Sequence, residues 1–197
     1  MEDFLDNMMK RSYSATAVVV LMIIASGCAT NRGNPATGVE PTQTPGRADF
    51  SMIAGQFPIP ATTTRQGEKD APVRACVNIA GTPARADLAL VDCNSDLATY
   101  RVIQRVRTPS ECIADADRPF YFSDGRDEWT ACLDLNWDNA RCISIDGVVS
   151  RVACDEPNLH NIIRPTELIL DTATVDGCAD GGYAHPIRRF TVCTQQR

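Results

Sequence analysis

The chain has 197 residues, a formal charge of -6 and a pI near 4.9, enough for one medium domain or two small ones. Phosphate backbones demand a concentrated basic surface, and the sequence has none, which argues against a nucleic-acid partner. Nine cysteines occur with no C-x-x-C pair. That pattern disfavours zinc ribbons and thioredoxin-like redox sites and points to structural disulfides formed in an oxidising compartment.

Residues 15–25 (ATAVVVLMIIA) form a near-apolar run preceded by Lys10 and Arg11 and followed by Ser26, Gly27 and Cys28. This is the layout of a secretory signal, and the run is much shorter than the ~20 apolar residues of a membrane-spanning helix. Small residues directly before a cysteine resemble the bacterial lipobox, although Ala25 stands where Leu is usual. The resemblance implies removal of residues 1–27 and acylation of Cys28, which anchors the mature chain to a lipid bilayer. Two or three acyl chains, at about 0.8 kcal/mol per buried CH₂, would hold it there. Glu2, Asp3 and Asp6 do not suit the positive start of a signal, so translation is expected to begin at Met8 or Met9.

Over residues 28–73 the composition turns to Thr, Pro, Gly, Ala and Gln, interrupted by one apolar patch at residues 50–57. Such a stretch offers too little apolar surface to offset ordering entropy, and it reads as a disordered tether.

The remaining eight cysteines fall into two groups of four with matching surroundings, the mark of an internal duplication. Cys76-Val77-Asn78-Ile79 matches Cys142-Ile143-Ser144-Ile145, and Val91-Asp92-Cys93 matches Val152-Ala153-Cys154. Cys112 corresponds to Cys178, and Trp129-Thr130-Ala131-Cys132 to Phe190-Thr191-Val192-Cys193. Eight short runs (CVNI, LALVDC, YRVIQRV, EWTACLDL, CISI, SRVAC, TELIL, RFTVC) are rich in β-branched and aromatic residues and bounded by turn formers, so the fold class is mainly β. The segments after Cys112 and Cys178 predict a helical turn at most. Two tandem β modules, 74–135 and 136–197, are expected. Alternation in the last strand of each puts Trp129, Ala131 and Leu133, or Phe190 and Val192, on one face and the cysteine on the other, which suits interior strands.

Spacing alone allows 105 disulfide pairings. If each module folds as a unit, neighbouring strands favour Cys76–Cys93, Cys112–Cys132, Cys142–Cys154 and Cys178–Cys193, each contributing about 2 to 4 kcal/mol.

On these residues the chain resembles the LppU-type lipoproteins of actinobacteria. The matching stretches are Gly27-Cys28-Ala29, Cys76 with Gly81-Thr82-Pro83, Cys132-Leu133-Asp134 with Trp137, and Asp176-Gly177-Cys178 through Tyr183 to Arg189-Phe190-Thr191-Val192-Cys193. A looser likeness is to septum-formation type domains, through Val152-Ala153-Cys154, Pro157 and His160; the first module has no histidine at the matching place. The resemblance implies a location and a fold, with no attached reaction.

Candidate chemistry is sparse. His160 and His185, the only histidines, lie in polar turn-like segments, and no G-x-S-x-G nucleophile elbow accompanies them. Asp134 to Asp138 begins like a calcium loop but lacks its Gly and its final Glu, so it reads as a polar turn. Asp115, Asp117, Asp124, Asp127 and Glu128 read as a solvated hairpin face beside Tyr121 and Trp129. The expectation is a non-enzymatic lipoprotein on the extracytoplasmic face of the membrane, without cofactor or metal. It would bind an envelope protein or cell-wall component, with His160, Tyr121, Tyr183 and Trp129 as candidate contacts. A hydrolase or transferase acting on envelope polymers through His160 or His185 is the alternative.

Overall fold

The computed structural model describes residues 48–82 and 85–197. The signal segment, Cys28 and the first part of the expected tether lie outside them. Ten strands form two five-stranded antiparallel sheets. The first contains β1 (Cys76–Thr82), β2 (Arg85–Val91), β3 (Tyr100–Val106), β4 (Arg118–Ser123) and β5 (Glu128–Leu135). The second contains β6 (Cys142–Ser144), β7 (Ser150–Val152), β8 (Ile162–Leu170), β9 (Gly182–His185) and β10 (Phe190–Gln196).

The strand orders are β2-β1-β3-β5-β4 and β7-β6-β8-β10-β9. Adding five to each label of the first sheet reproduces the second, so the duplication read from the cysteines is a duplication of topology. All eight expected strands form. The two that alternation misses, β4 and β9, are strands rather than helical turns, and both lie at a sheet edge. An edge tolerates Pro119 in β4, whose missing N–H can face away from the ladder, and it sustains a β9 of only four residues.

Four disulfides join Cys76 to Cys93, Cys112 to Cys132, Cys142 to Cys154 and Cys178 to Cys193. These are the pairs that strand adjacency favours. Corresponding bridges span similar distances, with Cα–Cα separations of 5.0 and 5.0 Å for the first of each module and 5.6 and 5.2 Å for the second. Each closes a short loop, 12 to 20 residues apart in sequence, so each stabilises by about 3 kcal/mol in the chain-entropy picture.

β5 and β10 are interior strands, flanked by neighbours on both sides. Trp129, Ala131 and Leu133 of β5 and Phe190 and Val192 of β10 belong to one apolar core, together with Val77, Tyr100, Ile143 and Ile163. Cys132 points the other way, into a smaller cluster with Ile103 and Val106. Because the larger core draws on both sheets, the two modules do not bury their apolar faces separately.

The tether reading does not hold over residues 48–73. Phe50, Ile53 and Ala71 join the main core. Backbone bonds tie the segment to β3: Arg105 N–H donates to Ala61 O at 2.9 Å, Thr63 N–H to Arg105 O at 3.0 Å and Arg74 N–H to Val102 O at 2.8 Å. β1 pairs with β3 only at Cys76 and Val77, so the rest of that edge of β3 is left for the preceding segment to cover. Composition averaged over the whole stretch hides the few apolar side chains and unpaired backbone groups that dock it.

Candidate functional site

Two polar features lie where the modules meet. The first is built around Arg188, in the turn between β9 and β10, whose side chain is 2% exposed. Its Nε donates to Asp115 Oδ1 at 2.8 Å and its Nη2 to Asp115 O at 2.6 Å. Both terminal nitrogens reach Asp134 on β5, Nη1 to Oδ2 at 2.6 Å and Nη2 to Oδ1 at 3.0 Å, and Nη1 also donates to Gln56 O at 2.9 Å. Five bonds occupy the five donors of a guanidinium. The backbone N–H groups of Ile187 and Arg188 both donate to Asp115 Oδ2, at 2.9 and 2.9 Å. One arginine of module 2 thereby joins two carboxylates of module 1 and the N-terminal segment.

The electrostatics follow from burial and pairing. Desolvation alone would raise the Asp115 carboxyl, but the backbone and guanidinium donors of Arg188 outweigh it and hold the group below the ordinary range. Desolvation pushes the Asp134 carboxyl up, with Arg188 opposing and Asp117 reinforcing the shift. Burial would lower the Arg188 guanidinium, yet its bonds to Asp134 and Asp115 raise it overall, so Arg188 stays charged.

Gly55 is what lets the N-terminal segment close on this network. Its φ is +80°, and a Cβ there would meet the Arg188 carbonyl oxygen at 2.7 Å, so any side chain would be both strained and in collision.

His185, at the end of β9, lies beside the network and is buried rather than in a polar turn. Its Nε2 is 3.2 Å from Asp117 Oδ1, its ring stacks on Phe190 at 4.2 Å, and it is 1% exposed. Asp117 uses its other oxygen to accept the Leu135 N–H at 2.8 Å. Asp117, Asp134 and His185 bring one possible metal-ligand atom each within 4.8 Å of the others. The chemistry of the donor set does not favour an ion, because Arg188 already supplies a positive charge to both oxygens of Asp134.

The second feature is a cleft of about 440 Å³ lined by both modules and by the N-terminal segment. Arg101 of β3, Arg151 of β7 and Arg141 from the connection between modules line it, with Asn136, Trp137 and Asp138. Arg151 is held rigidly, donating from Nη2 to Asn136 O at 2.6 Å and from Nη1 to Asp138 Oδ2 at 2.9 Å. Trp137 rests against Tyr183 of β9, with ring centroids 5.1 Å apart.

The residues singled out from sequence do not converge. Trp129 is buried and stacked on Phe122 at 5.3 Å, so it is a core residue rather than a contact surface. Tyr121 is exposed on edge strand β4, and His160 is exposed in the loop before β8. Tyr183 is half-buried behind Trp137, and burial raises its hydroxyl pKa. The acidic stretch is not one solvated face: Asp115 and Asp117 are turned inward to Arg188 and His185, whereas Asp124 caps its own turn. The polar-turn reading of Asp134 to Asp138 does not hold: Asp134 and Leu135 are buried positions of β5, and Asn136 and Trp137 after them are buried as well. The one signal of the network in the sequence was Asp134 itself, on the same face of β5 as Cys132, a face that needs covering.

Comparison of the chain with family models, with curated proteins and with solved structures finds no match in any of the three.

Proposed function

We propose that this protein is an extracytoplasmic lipoprotein of the LppU type, anchored through acylated Cys28, whose disulfide-stapled double module binds an envelope component in the cleft at the module junction. The observation that carries the reading is that cleft: a concave polar site of about 440 Å³ to which both modules and the N-terminal segment contribute. Its size falls within the ~300–1,000 Å³ of typical ligand pockets. Four disulfides support an oxidising compartment outside the cytoplasm. The anchor is tested by metabolic labelling with a clickable fatty acid: the wild type should incorporate it, and Cys28→Ser should not. The site is tested by photo-crosslinking from position 94, on the cleft rim, in intact envelopes. A defined adduct abolished by Arg151→Ala is expected, and adducts indifferent to that change would contradict it.

A second reading, a hydrolase or transferase acting on envelope polymers, has one observation in its favour: Asp117 orients a histidine, as a general base requires. Burial of the His185 ring and exposure of a lone His160 weigh against it. Changing both histidines to Ala should leave cellular function intact if the binding reading is right; loss of function in a folded double variant would favour the enzyme.

A further inference from the structure

Three guanidinium groups crowd the junction cleft of a protein whose net charge is -6. Arg141 has a carboxylate, Asp96 at 2.7 Å, and Arg151 has Asp138 at 2.9 Å. Arg101 has none. Among the described residues its one hydrogen-bond acceptor is the Ser51 carbonyl at 3.0 Å, which leaves most of its five donors unused.

Neither of the two carboxylates that line the cleft forms an ion pair with it. Asp138 Oδ1 accepts the backbone N–H groups of Ala140 and Arg141 at 2.6 and 2.7 Å, while Oδ2 holds Arg151. Asp49 Oδ1 accepts the Ser51 N–H and hydroxyl at 2.9 and 2.6 Å. The arginines also act on one another. Burial lowers the Arg101 pKa and nearby Arg74 lowers it further; burial lowers that of Arg151, opposed by Asp138 and Asp96, with Arg141 and Arg101 adding to the lowering. Trp137, another lining residue, has a buried indole N–H with no acceptor.

A half-buried cation without a counter-ion, beside two more cations, is an arrangement that a bound anion relieves. We infer that the cleft binds a small polar molecule through an oxyanion, phosphate or carboxylate, seated between Arg101 and Arg151 with Arg141 at the rim. Guanidinium groups suit both oxyanions because their paired N–H donors match two oxygens at once. The inference rests on the cleft being the binding site and names what it binds.

The test is an NMR titration of the full disulfide-bonded chain with inorganic phosphate, glycerol 3-phosphate and N-acetylalanine, against neutral glycerol and N-acetylalanine amide. The readouts are the arginine Nε–H and Trp137 indole signals. Saturable shifts are expected with charged probes only, and whether the phosphates or the carboxylate bind more tightly identifies the head group. Arg101→Gln should weaken binding by about ten- to a hundredfold, the worth of a charge-assisted bond. Arg141→Gln, at the more exposed rim, should weaken it less and serves if Arg101→Gln fails to fold. Neutral probes binding as tightly as charged ones would overturn the anion assignment while leaving the cleft as the site. Silence from every probe would overturn both.

Discussion

The turns that precede the last strand of each module, 124–127 between β4 and β5 and 186–189 between β9 and β10, solve the same local problem in opposite ways. Each has two backbone N–H groups that need an acceptor. In module 1 the turn caps itself, with Asp124 Oδ1 accepting the N–H groups of Arg126 and Asp127 at 2.8 and 2.8 Å. In module 2 the corresponding groups, of Ile187 and Arg188, are capped by Asp115 of the other module. The self-capped turn is exposed and free to vary. The other buries an arginine in the first module and cannot change without disturbing both. Duplication therefore supplied two similar stapled modules, and divergence of one turn supplied the lock between them.

The largest effect that tests this contrast comes from Arg188→Met, which strands Asp115 and Asp134 without their cation. Removing one partner of a buried ion pair costs about 3–5 kcal/mol, read as a lowered urea midpoint. Next come the staples the modules share. Replacing Cys112 and Cys132 together by Ser, or Cys178 and Cys193, should cost about 2–4 kcal/mol in either module by the same measurement. A large difference between the two would mean that the modules are not equivalent units.

Smaller is Asp115→Asn, at about 1–3 kcal/mol for the loss of charge-assisted bonds. Its pH dependence has a definite sign. The folded-state pKa of Asp115 is depressed, so its contribution is present above the ordinary Asp value of ~3.9 and is lost as pH falls through the lower folded value. The stability gap between wild type and Asp115→Asn should therefore be widest near neutral pH and close below about pH 4. The smallest effect is Arg126→Ala in the self-capped turn, within about 0.5 kcal/mol. A cost for Arg126→Ala approaching that for Arg188→Met would erase the distinction between the turns.

Sequence carried the staples and the strands because both are local or repetitive signals. Trp129 and Phe190, each three places before a cysteine, mark the same strand in both modules, and adjacent strands pair their own cysteines. Of the edge strands, β4 and β9 escaped because Pro119 and the brevity of β9 hide alternation. The lock escaped for a different reason: Arg188 meets Asp134 across 54 residues and Asp115 across 73, and no periodicity links positions so far apart. The docked segment 48–73 escaped because Phe50, Ile53 and Ala71 are diluted among residues typical of a linker. The cleft arginines lie on β3, on β7 and between the modules, so only the tertiary fold gathers them.

The claim on which the rest depends is that Arg188 holds module 2 to module 1 through Asp134. A double-mutant cycle of Arg188→Met and Asp134→Leu, followed by urea unfolding of the oxidised chain, measures that link. The account predicts a non-additive pair, with a coupling of about 1–3 kcal/mol and a double variant more stable than the sum of the single losses requires. Losses that add to within about 0.5 kcal/mol would contradict it.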